Sequence, residues 1–138
     1  MRRGGGKLTP KTVPKIEGYY RPIGPYSHMT IAKDFVFISM QTPLKPEGNS
    51  KEFAGPTVKE QTHQILTNLK TLLAEVKCTL DDIVKVTIYL THPKDFIAMN
   101  EVCKEFFPEE PPARSVAKLG IEAPNLLIAA DFVAVQKK

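Results

Sequence analysis

The stretch that most limits the fold runs over residues 57–77. Thr57-Val58-Lys59-Glu60 is a capping-box pattern directly after Pro56. Ile65, Leu66, Leu69, Leu72, Leu73 and Val76 then recur with helical period and form one apolar stripe. This predicts a helix over 58–77 whose stripe has to be buried against another element. The next residues supply a partner. Asp81-Asp82 turns the chain into an alternating strand over 83–90, with Val84, Val86, Ile88 and Leu90 on one face and Lys85, Thr87 and Tyr89 on the other.

The flanking segments repeat this alternation. Gly24-Pro25-Tyr26 is turn chemistry ahead of a short strand over 27–31. Lys33-Asp34 turns into the apolar strand Phe35-Val36-Phe37-Ile38, which makes a hairpin. Residues 42–56 are rich in Pro, Gly and polar side chains and read as a long loop. Pro93 opens a second helix, with Phe96, Met99, Cys103 and Phe106 facing the sheet, and Pro108, Pro111 and Pro112 stop it. Strands over 113–119 and 126–135 close the chain around the Ala123-Pro124-Asn125 turn. The expected fold is α/β (α+β), in the order β-β-α-β-α-β-β, with a mixed sheet and both helices on one face. The uncovered face, apolar at residues such as Phe35, calls for a partner, so an oligomer built by packed sheet faces is expected.

At 138 residues the chain fits one domain. No apolar run approaches the roughly 20 residues of a membrane span. Cys78 and Cys103 lack metal-ligand spacing and read as packing thiols of a reducing, cytoplasmic compartment. The net charge of +4 is unevenly placed. Arg2, Arg3, Lys7, Lys11, Lys15 and Arg21 against Glu17 give residues 1–21 a net +5, leaving −1 on the remainder. Residues 1–21 therefore read as a basic flexible arm and 22–138 as the domain. The domain has no basic face of the kind nucleic-acid binding requires. His28, His63 and His92 are scattered and read as solvent-facing or capping residues.

Arg114 is the cation that stands out. It begins a strand just after two prolines, and its planar fork of donors suits a carboxylate. The alternative is a surface arginine paired with a nearby acid.

Taken together, Gly24-Pro25-Tyr26-Ser27, Ser39-Met40-Gln41-Thr42-Pro43, Gln61, Thr62, Asn68-Leu69, Asp82-Ile83-Val84-Lys85-Val86-Thr87, Asp95-Phe96, Asn100-Glu101-Val102 and Pro112-Ala113-Arg114-Ser115 fall in the order of a known family. The chain resembles the RidA/YjgF family, also called endoribonuclease L-PSP, from about Gly24 to Val135. The resemblance implies a chorismate-mutase-like fold and a homotrimer with three clefts between subunits. It also implies hydrolysis of reactive 2-imino or 2-enamino acids to 2-keto acids and ammonia, without cofactor or metal. Carried over by residue, Arg114 would grip the substrate carboxylate, with Tyr26, Ser39 and Asn100 in or beside the cleft.

Two positions depart from the family pattern. Met40 stands where the family usually has glycine, and Ala129 stands where active deaminases carry a glutamate that serves the water. Asp131 and Glu122 are the nearest carboxylates to take that part. Two alternatives remain: an RNA-directed endoribonuclease or translation inhibitor, and a non-catalytic trimer that binds small carboxylates.

Overall fold

The computed structural model describes residues 10–46 and 52–137, with two short antiparallel strands before them, β1 (Arg2–Arg3) and β2 (Gly6–Lys7). The remaining elements are β3 (Lys11–Thr12), β4 (Met29–Ala32), β5 (Phe35–Gln41), α1 (Val58–Glu75), β6 (Ile83–Leu90), α2 (Phe96–Phe106), β7 (Ala113–Lys118) and β8 (Ile128–Val135). From β4 onward the order matches the one expected from sequence. The fold is a mixed α+β domain.

The capping box forms as expected. The Glu60 amide donates to the Thr57 hydroxyl, and the Thr57 amide donates to the Glu60 carboxylate, both at 3.2 Å. Gly55 makes room for this end of the helix: its φ is +72°, and a side chain there would meet Glu60. Helix α1 stops two residues short of the expected end. Lys77 adopts φ +58°, and the Cys78 amide returns to the Leu73 carbonyl at 2.9 Å, which closes the last turn.

Six strands form one sheet in the order β3-β4-β5-β8-β6-β7. Strand β8 lies between β5 and β6 and runs antiparallel to both. Strand β7 pairs parallel with β6, Val86 level with Arg114, and forms the sheet edge. Leu69, Leu72 and Leu73 of α1 and Met99 of α2 are fully buried in one core with Val36, Ile128, Phe132 and Ala134. Both helices thus cover a single face, and on the other Phe35 and Phe37 remain nearly half exposed.

Packing begins before the expected domain boundary at residue 22. Within the expected arm, Lys11 and Thr12 pair with Ala32 and Ile31 of β4, and Tyr19 is buried. A polar cluster holds this segment. The Tyr19 hydroxyl donates to Gln41 Oε1 at 2.7 Å, and Gln41 itself has no exposure. His28 also departs from expectation: it is buried, not solvent-facing. Its Nε2 donates to the Tyr20 carbonyl at 2.7 Å, which leaves Nδ1 to accept from the Gln41 amide at 3.3 Å. Buried amides and imidazoles are kept because each atom finds a partner.

Burial holds the His28 pKa below its ordinary value, so protonation favours the unfolded chain. Its contribution is intact above the unfolded value of about 6.5 and is lost as pH falls through the lower folded value. Urea unfolding at about pH 7.5 and about pH 5.5 should show the loss, and His28→Gln should flatten that slope. An unchanged slope in the variant would remove His28 as its source.

Candidate functional site

Arg114 sits where edge strand β7 passes helix α2. Its guanidinium donates to Asn100 Oδ1 at 2.6 Å and lies 5.5 Å from the centre of the Phe96 ring. Met99 Sδ is a weaker neighbour at 3.8 Å. Phe96, Met99 and Asn100 recur at the three- and four-residue spacing that places side chains on one helical face. Among the described residues no carboxylate pairs with Arg114; Lys59–Glu101 and Lys137–Asp82 are ion pairs away from it. The surface-pair alternative for Arg114 is therefore not what the structure contains. Donors of the guanidinium beyond those on Asn100 and Met99 remain for an anion.

Arg114 and Asn100 stand at a cavity of about 460 Å³ between the helices and the sheet. Cys103 also lines it, and burial pushes its thiol pKa up, against the lowering effect of Arg114.

Tyr26, Ser39 and Asp131 gather in a different hollow, of about 520 Å³, with Met40, Phe37 and Ile121. The register of β8 separates the two: Ile128, Ala130 and Phe132 line the first and Asp131 lines the second, so they open on opposite faces of the sheet. One chain does not bring Arg114 and Asp131 together. The Ser39 hydroxyl donates to the Ser27 carbonyl at 2.6 Å, a bond that fixes the turn carrying Tyr26. Tyr26 is 43% exposed at the rim. Glu122 is exposed in the loop before β8 and lines neither hollow.

The two departures from the family pattern turn out to be neighbours. Ala129 has no exposure and belongs to a small apolar cluster with Leu119 and Leu126, against which Met40, Phe53 and Tyr89 pack. Sequence reasoning did not single out Tyr89. It faces Ala129 across the β6–β8 pairing, and its hydroxyl donates to Asp131 Oδ2 at 2.9 Å. That bond, followed by partial burial, raises the Tyr89 pKa. The available signal was the alternation of β6, which places Tyr89 on the face away from the helices.

Among the described residues no group of three or more His, Cys, Asp or Glu side chains could hold a metal ion. His28 is engaged on both nitrogens, and His63 packs edge-on against Phe106 at 5.2 Å. No helix among the described residues is long and apolar enough to cross a membrane.

A mixed sheet covered by two helices on one side is shared with proteins already known. The sequence profile described as endoribonuclease L-PSP matches residues 18–136. A RutC family protein of Pyrococcus abyssi is 38% identical over 117 residues, which cover 85% of this chain and 91% of that protein. A Thermotoga maritima structure, described as a candidate endoribonuclease, superposes with a TM-score of 0.82 at 31% identity and covers 92% of this chain and 98% of its own. Escherichia coli TdcF, solved with bound serine, gives 0.80 at 26% identity, with 91% and 99% covered. The chain belongs to the endoribonuclease L-PSP family, the RidA/YjgF family of the sequence resemblance.

Restoring the family glutamate should be costly here. Ala129→Glu buries a carboxylate among apolar neighbours and should lower stability by about 3–5 kcal/mol in denaturant unfolding. Adding Met40→Gly should recover part of that loss by opening the cluster to water. A stable single variant would show that the cluster is not closed.

Proposed function

We propose that the protein hydrolyses 2-imino acids, or their 2-enamine tautomers, to 2-keto acids and ammonia. The observation that carries this reading is the Arg114 guanidinium, oriented by Asn100 and without a carboxylate partner among the described residues. A 2-imino acid has a carboxylate beside its C=N carbon, so a bidentate grip by Arg114 fixes the carbon that water attacks. Asp131, held by the Tyr89 hydroxyl, accepts a proton from that water. The C=N bond is replaced by C=O, oxygen comes from water, and nitrogen leaves as ammonia: R–C(=NH)–COO⁻ + H₂O → R–CO–COO⁻ + NH₃.

On this reading the Tyr26–Ser39–Asp131 hollow of one protomer meets the Arg114 side of the next in a homotrimer. Exposed Phe35, Phe37, Ile121 and Val116 support such contact. The serine bound in TdcF is a small molecule with a carboxylate, as the reading requires. No metal or cofactor is invoked, and the compartment proposed is the cytoplasm.

The apolar setting of Ala129 favours a second reading, carboxylate binding without turnover. One assay separates the two. Imino acid released in situ by a pyridoxal-phosphate dehydratase should be converted to keto acid faster in the presence of the protein. Arg114→Ala should lower that acceleration about 100-fold, and Arg114→Lys should keep only part of it, since lysine cannot reproduce the planar fork. Binding of a keto acid without any acceleration would establish the second reading.

A further inference from the structure

Strand β5 breaks its own alternation. Val36 and Ile38 turn inward and Phe35 and Phe37 outward, but Ser39 and Met40 then both line the outer hollow before buried Gln41 turns in. The pairing with β8 gives the cause. Ile38 is level with Phe132 and Gln41 with Ala130, so Ser39 and Met40 together oppose the single residue Asp131. This is a β-bulge, a device that re-aims side chains beside working sites. The backbone groups it takes out of the ladder need other partners. The Ser39 amide donates to the His28 carbonyl at 2.9 Å, and the Ser39 carbonyl accepts from Gln41 Nε2 at 3.0 Å.

Gln41 uses all four of its side-chain bonding positions. Oε1 accepts from the Tyr19 and Tyr20 hydroxyls at 2.7 and 3.3 Å, and Nε2 donates to the Ser39 carbonyl and to His28 Nδ1. Moving the extra residue elsewhere would restore alternation here, turn Met40 into the core and Gln41 out to the surface, and break all four bonds. The buried amide therefore dictates where the bulge falls. Asp131, opposite the bulge, is the proton acceptor of the reading above, on which this inference rests. We propose that Gln41 is a positioning residue for that hydrolysis: by holding the bulge it sets Ser39 and Met40 side by side across from the Asp131 carboxylate, and so shapes the hollow in which water gives up its proton. The two ends of the amide act separately. Oε1 ties down the segment around Tyr19, and Nε2 holds the bulge.

The test uses the full chain and the coupled imino-acid assay. Gln41→Met keeps the length of the side chain and removes its bonds. Its kcat should fall about 10- to 100-fold, while KM, set by the Arg114 grip, changes less than about twofold. Because the effect runs through Asp131, adding Gln41→Met to Asp131→Asn should lower kcat by less than about twofold more. Tyr19→Phe breaks a bond on the Oε1 side alone and should lower stability with kcat kept. Deleting Met40 lets β5 and β8 pair without a bulge; that variant should fold and lose kcat as Gln41→Met does. Wild-type kcat in either bulge variant overturns the proposal. So do fully additive losses with Asp131→Asn, a rise in KM alone, or an equal loss of kcat in Tyr19→Phe. The imino-acid reading stands in each of those cases, whereas a wild-type protein that gives no acceleration removes both. Should Gln41→Met not fold, the deletion decides alone. Failure of the deletion variant to fold also overturns the proposal, because the plain ladder would then not be an available alternative.

Discussion

The candidate site depends on the parallel pairing of β6 with β7. Parallel neighbours cannot be joined by a tight turn, so the chain needs a crossover, and α2 is that crossover. The same requirement that places Arg114 level with Val86 also brings Asn100 over the edge strand, 2.6 Å from the guanidinium. Topology therefore supplies both the cation and its orienting partner. An antiparallel edge with a short turn would have left Arg114 without the helix that positions it.

A second constraint comes from side-chain amides sealed inside the fold. Gln61 has no exposure and binds the Gly55 and Asn125 carbonyls while accepting from the Leu127 amide. It ties the start of α1 to the turn that leads into β8. Asn68 does the same for the Leu44 carbonyl, and Gln41 for the segment around Tyr19. Each such group would cost stability if left unpartnered, so each fixes one loop in one place. Ser39 is part of the same logic: its hydroxyl serves the Ser27 carbonyl, and Tyr26 is placed as a consequence.

Elements with strong periodicity were legible from the chain alone. The α1 stripe, its capping box, the Lys33-Asp34 hairpin and the alternation of β6 all have local causes, and the structure contains each of them. What local pattern could not convey was pairing at a distance. Nothing near Lys11 announces that it lies beside Ala32, and nothing near His28 announces that Tyr20 and Gln41 will enclose it. The site shows the same division. The Arg114–Asn100 pair has a helical and a strand periodicity behind it, whereas the contact between Met40 and the Ala129 cluster arises from two segments about ninety residues apart. Asp131 on the strand and Glu122 in the loop before it were the carboxylates nearest the family glutamate position; strand alternation puts the first in a hollow, and the second is exposed and lines neither hollow.

Strand β7 closes the sheet on one side with all six of its residues exposed. Its outer backbone donors and acceptors form a template on which any extended peptide could add a further strand. Arg114 and Lys118 therefore have a second consequence as gatekeepers: two like charges on a short ribbon discourage two copies from zipping edge to edge into fibres.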